Sequence, residues 1–201
     1  MPTPRSLDEA ASALKRGEAV IFPTETVYGL GVSVEAVAGP DVLYSLKERD
    51  RGKPISWLVA GCDDLDRYGA HVPDLARKLA RAYWPGALTL IVEASDAVPP
   101  AFRSAAGSIG LRMPDSATAL ALIEAVGCPL ATTSANPSGE AAPGAIDALD
   151  PQLAARVNVV LADEADDDKS GVASTVIDCT GDAPRIVREG AVTPAAIAAL
   201  S

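Results

Sequence analysis

Short apolar runs alternate with capped amphipathic stretches along the chain, and this rhythm most limits what it can fold into. Runs at 19–22, 55–60, 87–92, 108–113, 129–132, 157–162 and 174–178 are each too short for a stable helix and read as buried strands. Ser6-Leu7-Asp8-Glu9 is a capping box that opens a helix, with Leu7, Ala10, Ala11 and Leu14 as its apolar stripe and Gly17 as its stop. Further helices are expected at 41–49, 73–84 and 145–155, the last broken near Pro151, and Thr193-Pro194 starts a final Ala-rich one. Asp115 is read as the cap of another helix, which Gly127 ends. Residues 184–187 pair back on 174–178 as a hairpin, which puts Arg188 just past its end. No repeat or long linker interrupts the alternation, so the expectation is one α/β domain over 1–201, built on a mixed sheet.

Bulk properties remove several classes of function. A chain of 201 residues that is 48% hydrophobic can bury one sizeable core. No 18-residue apolar run occurs, and the amino terminus leads straight into a polar capped helix, so neither a membrane span nor a signal peptide is expected. Cys62, Cys128 and Cys179 are widely spaced without a CxxC pair, which fits reduced thiols and a cytoplasmic location better than disulfides or structural zinc. His71 is the single histidine, which weakens metalloenzyme and triad readings. A formal charge of -10 argues against an extended nucleic-acid surface, and eight aromatic residues leave few stacking platforms.

Against that negative charge, Lys47-Glu48-Arg49-Asp50-Arg51-Gly52-Lys53 concentrates four cations in seven residues. The stretch reads either as a solvated helix end, where cations suit the negative pole, or as an anion site. Pro23-Thr24-Glu25-Thr26-Val27-Tyr28-Gly29-Leu30-Gly31 is either a plain strand–loop–strand corner or a polar loop shaped for close backbone approach. Thr133-Ser134-Ala135-Asn136-Pro137-Ser138-Gly139 follows a strand and is either a capped turn or a dense set of hydrogen-bonding groups. The acidic stretch at 163–171 reads as a solvated loop, with a lid or a weak cation site as its functional alternative.

There is no GxxxxGK[ST], GxGxxG, HExxH or GxSxG. What remains is a set of polar residues at strand ends: Thr24, Thr26, Lys47, Arg49, Lys53, Arg112, Thr132, Ser134, Asn136, Ser174 and Arg188. Cations, hydroxyls and an amide, with no evident base or nucleophile, suit a phosphoryl-type reaction run by positioning and charge neutralisation.

Seven motifs occur in order. They are Pro23-Thr24-Glu25-Thr26-Val27-Tyr28-Gly29-Leu30, Lys47-x-Arg49 with Lys53-Pro54, Trp84-Pro85-Gly86-x-Leu88-Thr89, Leu111-Arg112-x-Pro114, Thr133-Ser134-Ala135-Asn136, Ser174-Thr175-Val176-Ile177-Asp178 and Arg188-x-Gly190. Together, from about residue 8 to 192, they resemble the YrdC-like family of threonylcarbamoyl-adenylate synthases. The resemblance implies a twisted mixed sheet flanked by helices with a deep basic cleft. It implies a nucleotidyltransferase that makes threonylcarbamoyl-AMP and pyrophosphate from L-threonine, bicarbonate or CO2, and ATP with Mg²⁺. The product would feed a downstream tRNA threonylcarbamoyl-transfer machinery. By motif matching, Lys47, Arg49, Ser134 and Asn136 are the catalytic candidates. Thr26, Arg112, Thr132 and Ser174 fall to threonine, and Arg49, Lys53, Ser108, Ser134 and Arg188 to ATP. Arg112 suits a bidentate grip on the threonine carboxylate.

Two departures stand out. Asp50-Arg51-Gly52 separates the Lys-x-Arg pair from Lys53-Pro54, which leaves the role of Arg51 open. The chain ends at Ser201, so it resembles the short, single-domain type. The rival readings are an RNA-binding, translation-associated module with some tRNA contact, and a relative that shares the fold without synthase activity.

Overall fold

The computed structural model describes residues 6–53, 55–162 and 169–200. In chain order it comprises α1 (Leu7–Lys15), β1 (Val20–Phe22), β2 (Gly29–Ser33), α2 (Asp41–Lys47), β3 (Ser56–Leu58), α3 (Asp64–Tyr68), β4 (Gly69–Ala70) and α4 (Asp74–Tyr83). β5 (Leu88–Ala94), β6 (Ser108–Arg112), α5 (Ala117–Val126), β7 (Leu130–Ser134), α6 (Pro151–Ala155) and β8 (Val159–Val160) follow. β9 (Thr175–Asp178), β10 (Arg185–Arg188) and α7 (Pro194–Ala198) complete it. Among the described residues all ten strands join one sheet in the order β10-β9-β5-β6-β3-β7-β2-β1-β8, with β4 beside β5. Pairs β1/β8, β3/β6 and β5/β9 are parallel and the rest antiparallel, which gives the expected mixed sheet.

Side chains alternate across a strand, and here the alternation separates two environments. Ile21, Trp57, Val59, Leu88, Leu90, Val92, Ile109, Leu111 and Ile177 pack into the larger core, with residues from α2, α3, α4, α6 and α7. Val20, Phe22, Leu58, Leu130 and Val159 point the other way, into a smaller core closed by α1 and α5. On that second face α1 and α5 cover only part of the sheet. A row in register, Gly31–Thr132–Ser56–Gly110–Ile91, crosses β2, β7, β3, β6 and β5. The last four of these residues line an open cavity. A Cβ on Gly31 would meet the Phe22 ring at 2.8 Å and Thr132 Oγ1 at 3.0 Å, so the row stays low only with glycine there.

Several local expectations are corrected. Ser116, not Asp115, caps α5, because its hydroxyl accepts from Ala119 N. β7 continues through Ser134, paired to Gly29, so the polar stretch after residue 132 begins as strand rather than turn. Arg188 lies inside β10, not beyond it. Residues 146–148 form a separate 3-10 turn, and Pro151 opens α6 instead of breaking a longer helix. Most of the acidic stretch, 163–168, lies outside the described residues. Among those described, no helix is long and apolar enough to cross a membrane.

Candidate active site

The cavity is about 570 Å³ and takes residues from both ends of the chain, from Thr24 to Arg188. Its polar lining includes four cations, Arg49, Lys53, Arg112 and Arg188, and one carboxylate, Glu140. Thr26, Ser108, Thr132, Ser134, Asn136 and Ser174 add hydroxyls and an amide, while Ile55, Leu58, Ile91, Phe102 and Val176 form an apolar floor. All the residues singled out from the sequence line this one space except Lys47. The strand-end picture needs one adjustment. Arg112, Ser134 and Arg188 do end β6, β7 and β10, but Thr132, Ser56 and Gly110 are register neighbours within the sheet, so the groups meet over the face left bare by helices.

Lys47 is 3% exposed and ends α2, where Glu48 adopts a left-handed conformation (φ 51°) that turns the chain. Lys47 Nζ donates to Ser134 O at 2.5 Å and sits 3.3 Å from Thr133 Oγ1, Ser134 Oγ and Asn136 Oδ1. Asn136 Nδ2 in turn donates to Pro137 O and Glu140 O, at 2.9 and 2.7 Å, which ties down the loop after β7. Lys47 therefore organises the Ser134–Asn136 wall from within it, and Arg49, two residues on, presents its charge to the cavity itself. Burial, helped by Arg49 and Lys53, pushes the Lys47 ammonium down to about 8. Any activity that depends on the Lys47 charge should fall above about pH 8 as the ammonium loses its proton. A pH series on Lys47→Arg, whose guanidinium stays charged, should lack that alkaline limb.

Arg188 donates through Nε and Nη2 to Ser174 O at 3.0 and 2.9 Å, and through Nη2 to Ser174 Oγ at 3.0 Å. That hydroxyl also lies 2.9 Å from Thr89 Oγ1. Burial, reinforced by Arg112 and Arg49, lowers the Arg188 pKa, so three guanidinium groups act on one region. Such a concentration has little reason to persist without an anionic ligand.

Arg112 is already engaged. Nε donates to Gly86 O at 3.0 Å, and Nη2 donates to Glu25 Oε1 at 2.5 Å and Thr26 Oγ1 at 3.1 Å. The edge expected to grip a carboxylate thus carries a protein carboxylate, and Glu25 is the residue sequence reasoning missed. It lies within the 23–30 motif, but nothing in the sequence pairs it with a cation 87 positions away. Arg51, left open, pairs with Asp41 on the surface. Among the described residues no group of three or more His, Cys, Asp or Glu could hold a metal ion.

A single mixed sheet whose bare face carries cations, hydroxyls and a low apolar floor defines an α/β protein with a cavity on that face. Residues 12–190 match the family model Sua5_yciO_yrdC, described as telomere recombination, and the chain belongs to this family. A Mycobacterium leprae relative is 39% identical over 194 residues, 96% of this chain and 87% of its own length. The Bacillus subtilis threonylcarbamoyl-AMP synthase is 35% identical over 193 residues, 96% of this chain but 55% of its own length. The structure of Pyrococcus abyssi Sua5 complexed with L-threonine superposes with a TM-score of 0.87 at 31% identity, over 96% of this chain and 56% of that one. The chain thus spans just over half the length of two of these relatives.

Proposed function

We propose that this chain is a threonylcarbamoyl-AMP synthase, which joins L-threonine, CO2 from bicarbonate, and ATP, and releases pyrophosphate. The observation that carries the reading is the convergence of Arg49, Lys53, Arg112, Ser134 and Arg188 on one cavity, in a chain similar to a protein solved with L-threonine. The amine of threonine adds to CO2 with loss of a proton, and the resulting carbamate oxygen attacks the α-phosphorus as pyrophosphate leaves. The nucleophile is already an anion, so the site needs no strong base. Its task is to bring two anions together and hold the charge that builds on the leaving group.

Arg49, Lys53 and Arg188 meet the triphosphate, with the apolar floor beside Ser108 left for the base. Mg²⁺ arrives on the nucleotide as part of the substrate and neutralises phosphate charge. Thr26, Thr132 and Ser174 face the threonine, where an unpaired polar group would penalise an analogue lacking the hydroxyl. Lys47 fixes Ser134 and Asn136; the Ser134 hydroxyl then faces the reacting carbamate and phosphate, while Asn136, its amide donors held by Pro137 O and Glu140 O, keeps that wall in place. The product is a mixed anhydride and calls for an acceptor, which in this reading is the tRNA threonylcarbamoyl-transfer machinery.

ATP–pyrophosphate exchange tests the proposal. Exchange should require both L-threonine and bicarbonate, and Ser134→Ala should reduce it about a hundredfold, the scale of losing one positioned donor. Salt-sensitive tRNA binding without any exchange would instead support an RNA-binding module.

A further inference from the structure

We propose that Glu25, together with Arg112, forms a charge-exchange pair that recognises the zwitterionic head of the amino-acid substrate. The inference rests on the threonine reading above and deepens it. In the protein as it stands, Glu25 Oε1 and Arg112 Nη2 are 2.5 Å apart, with side chains 20% and 9% exposed. The second carboxylate oxygen, Oε2, is buried and has no hydrogen-bond partner among the described residues. A buried carboxylate oxygen with no donor is costly, and an ammonium is one donor that would satisfy it.

Position reinforces the point. Glu25 sits in the loop after β1, which is stitched by Thr24 Oγ1 to Val27 O at 2.6 Å and pinned by Ser170 N to Glu25 O at 3.0 Å. Its neighbour Thr26 shares Arg112 with it at 3.1 Å and lines the cavity. A lone guanidinium would favour any monoanion, including a stray carboxylate or phosphate. A guanidinium already paired with a carboxylate is half neutralised and disfavours such ligands.

An amino acid brings both signs. Its carboxylate can take Arg112 while its ammonium takes Glu25, so one internal ion pair opens and two external ones replace it. No charge is left buried and unpaired in the exchange. The pair therefore discriminates by requiring an α-ammonium, and it places that nitrogen at a defined point beside Thr26; the ammonium gives up one proton, with the Glu25 carboxylate as acceptor, before the amine adds to CO2.

Calorimetric titration of the full chain with L-threonine and with 3-hydroxybutanoate, the same skeleton without the amine, tests this. The wild type should bind threonine at least about tenfold more tightly than the hydroxy acid, the scale of one charge-assisted hydrogen bond. Glu25→Gln should weaken threonine by a similar factor and strengthen the hydroxy acid, because Arg112 is released. Opposite signs on two ligands cannot come from a merely loosened loop. Equal wild-type affinity for the two ligands overturns the proposal, as does a Glu25→Gln protein that holds threonine unchanged or more tightly. If Glu25→Gln fails to fold, the wild-type comparison alone decides. Wild-type protein that binds no threonine at all would remove the synthase reading itself, a separate outcome from either of these.

Discussion

Replacing Lys47 with methionine is expected to lower threonine-dependent exchange about a thousandfold and to destabilise the protein by about 2–4 kcal/mol. Methionine keeps the length of the side chain and removes only the ammonium. Ser134 O, Ser134 Oγ, Thr133 Oγ1 and Asn136 Oδ1 then lose the cation that gathers them, and the loop tied through Asn136 loses its anchor. The pH dependence of stability provides an independent signature. The folded value, about 8, lies below the ordinary 10.5, so between these limits the folded protein binds fewer protons than the unfolded chain. Stability contributed by this group therefore rises with pH through that window, and denaturant titrations of Lys47→Met should lose that rise. Activity and stability that both survive the substitution would mean the wall is held by something else.

Gly190→Ala should be nearly as damaging, although glycine 190 touches no proposed ligand. A Cβ there would lie 2.2 Å from Ala173 O, 2.5 Å from Ser174 C and 2.6 Å from Thr175 N, all of them backbone atoms. None can move by side-chain rotation, so the segment carrying Ser174 must shift, and the two Arg188 hydrogen bonds to Ser174 O shift with it. A loss of about 3 kcal/mol is expected by overpacking, read as a lower denaturation midpoint. The KM for ATP should rise together with a fall in kcat. A variant of wild-type stability would show that the 173–175 segment can yield at little cost.

Local rules carried much of this structure. The capping box at Ser6, the glycine stop at Gly127 and the proline opening α7 are all decided within a few residues, and each stands where the sequence places it. Strand identities followed from runs of apolar residues, but their limits did not. β7 keeps its ladder through Thr133 and Ser134 because β2 pairs with it, and a partner a hundred positions away leaves no trace in local composition. Ser116 displaces Asp115 as a cap because either residue type suffices locally and only the packing of α5 chooses. The site was legible as an inventory and not as a geometry. Motif order brought Arg49, Ser134 and Arg188 together, whereas the burial of Lys47 within the wall and the pairing of Glu25 with Arg112 depend on which strands lie side by side.

The breadth of chain that builds the cavity bears on how the molecule comes into being. Thr24 and Thr26 precede their counterpart Arg188 by more than 160 residues in the chain, and Arg188 belongs to β10, an edge strand held to the sheet through β9. A nascent polypeptide still tethered to the ribosome before residue 188 emerges has no complete pocket, so nucleotide cannot act as a template during synthesis. On the proposed reading, ligand stabilises only a chain in which both walls of the cavity are in place, and added ATP should slow global unfolding while leaving early collapse untouched.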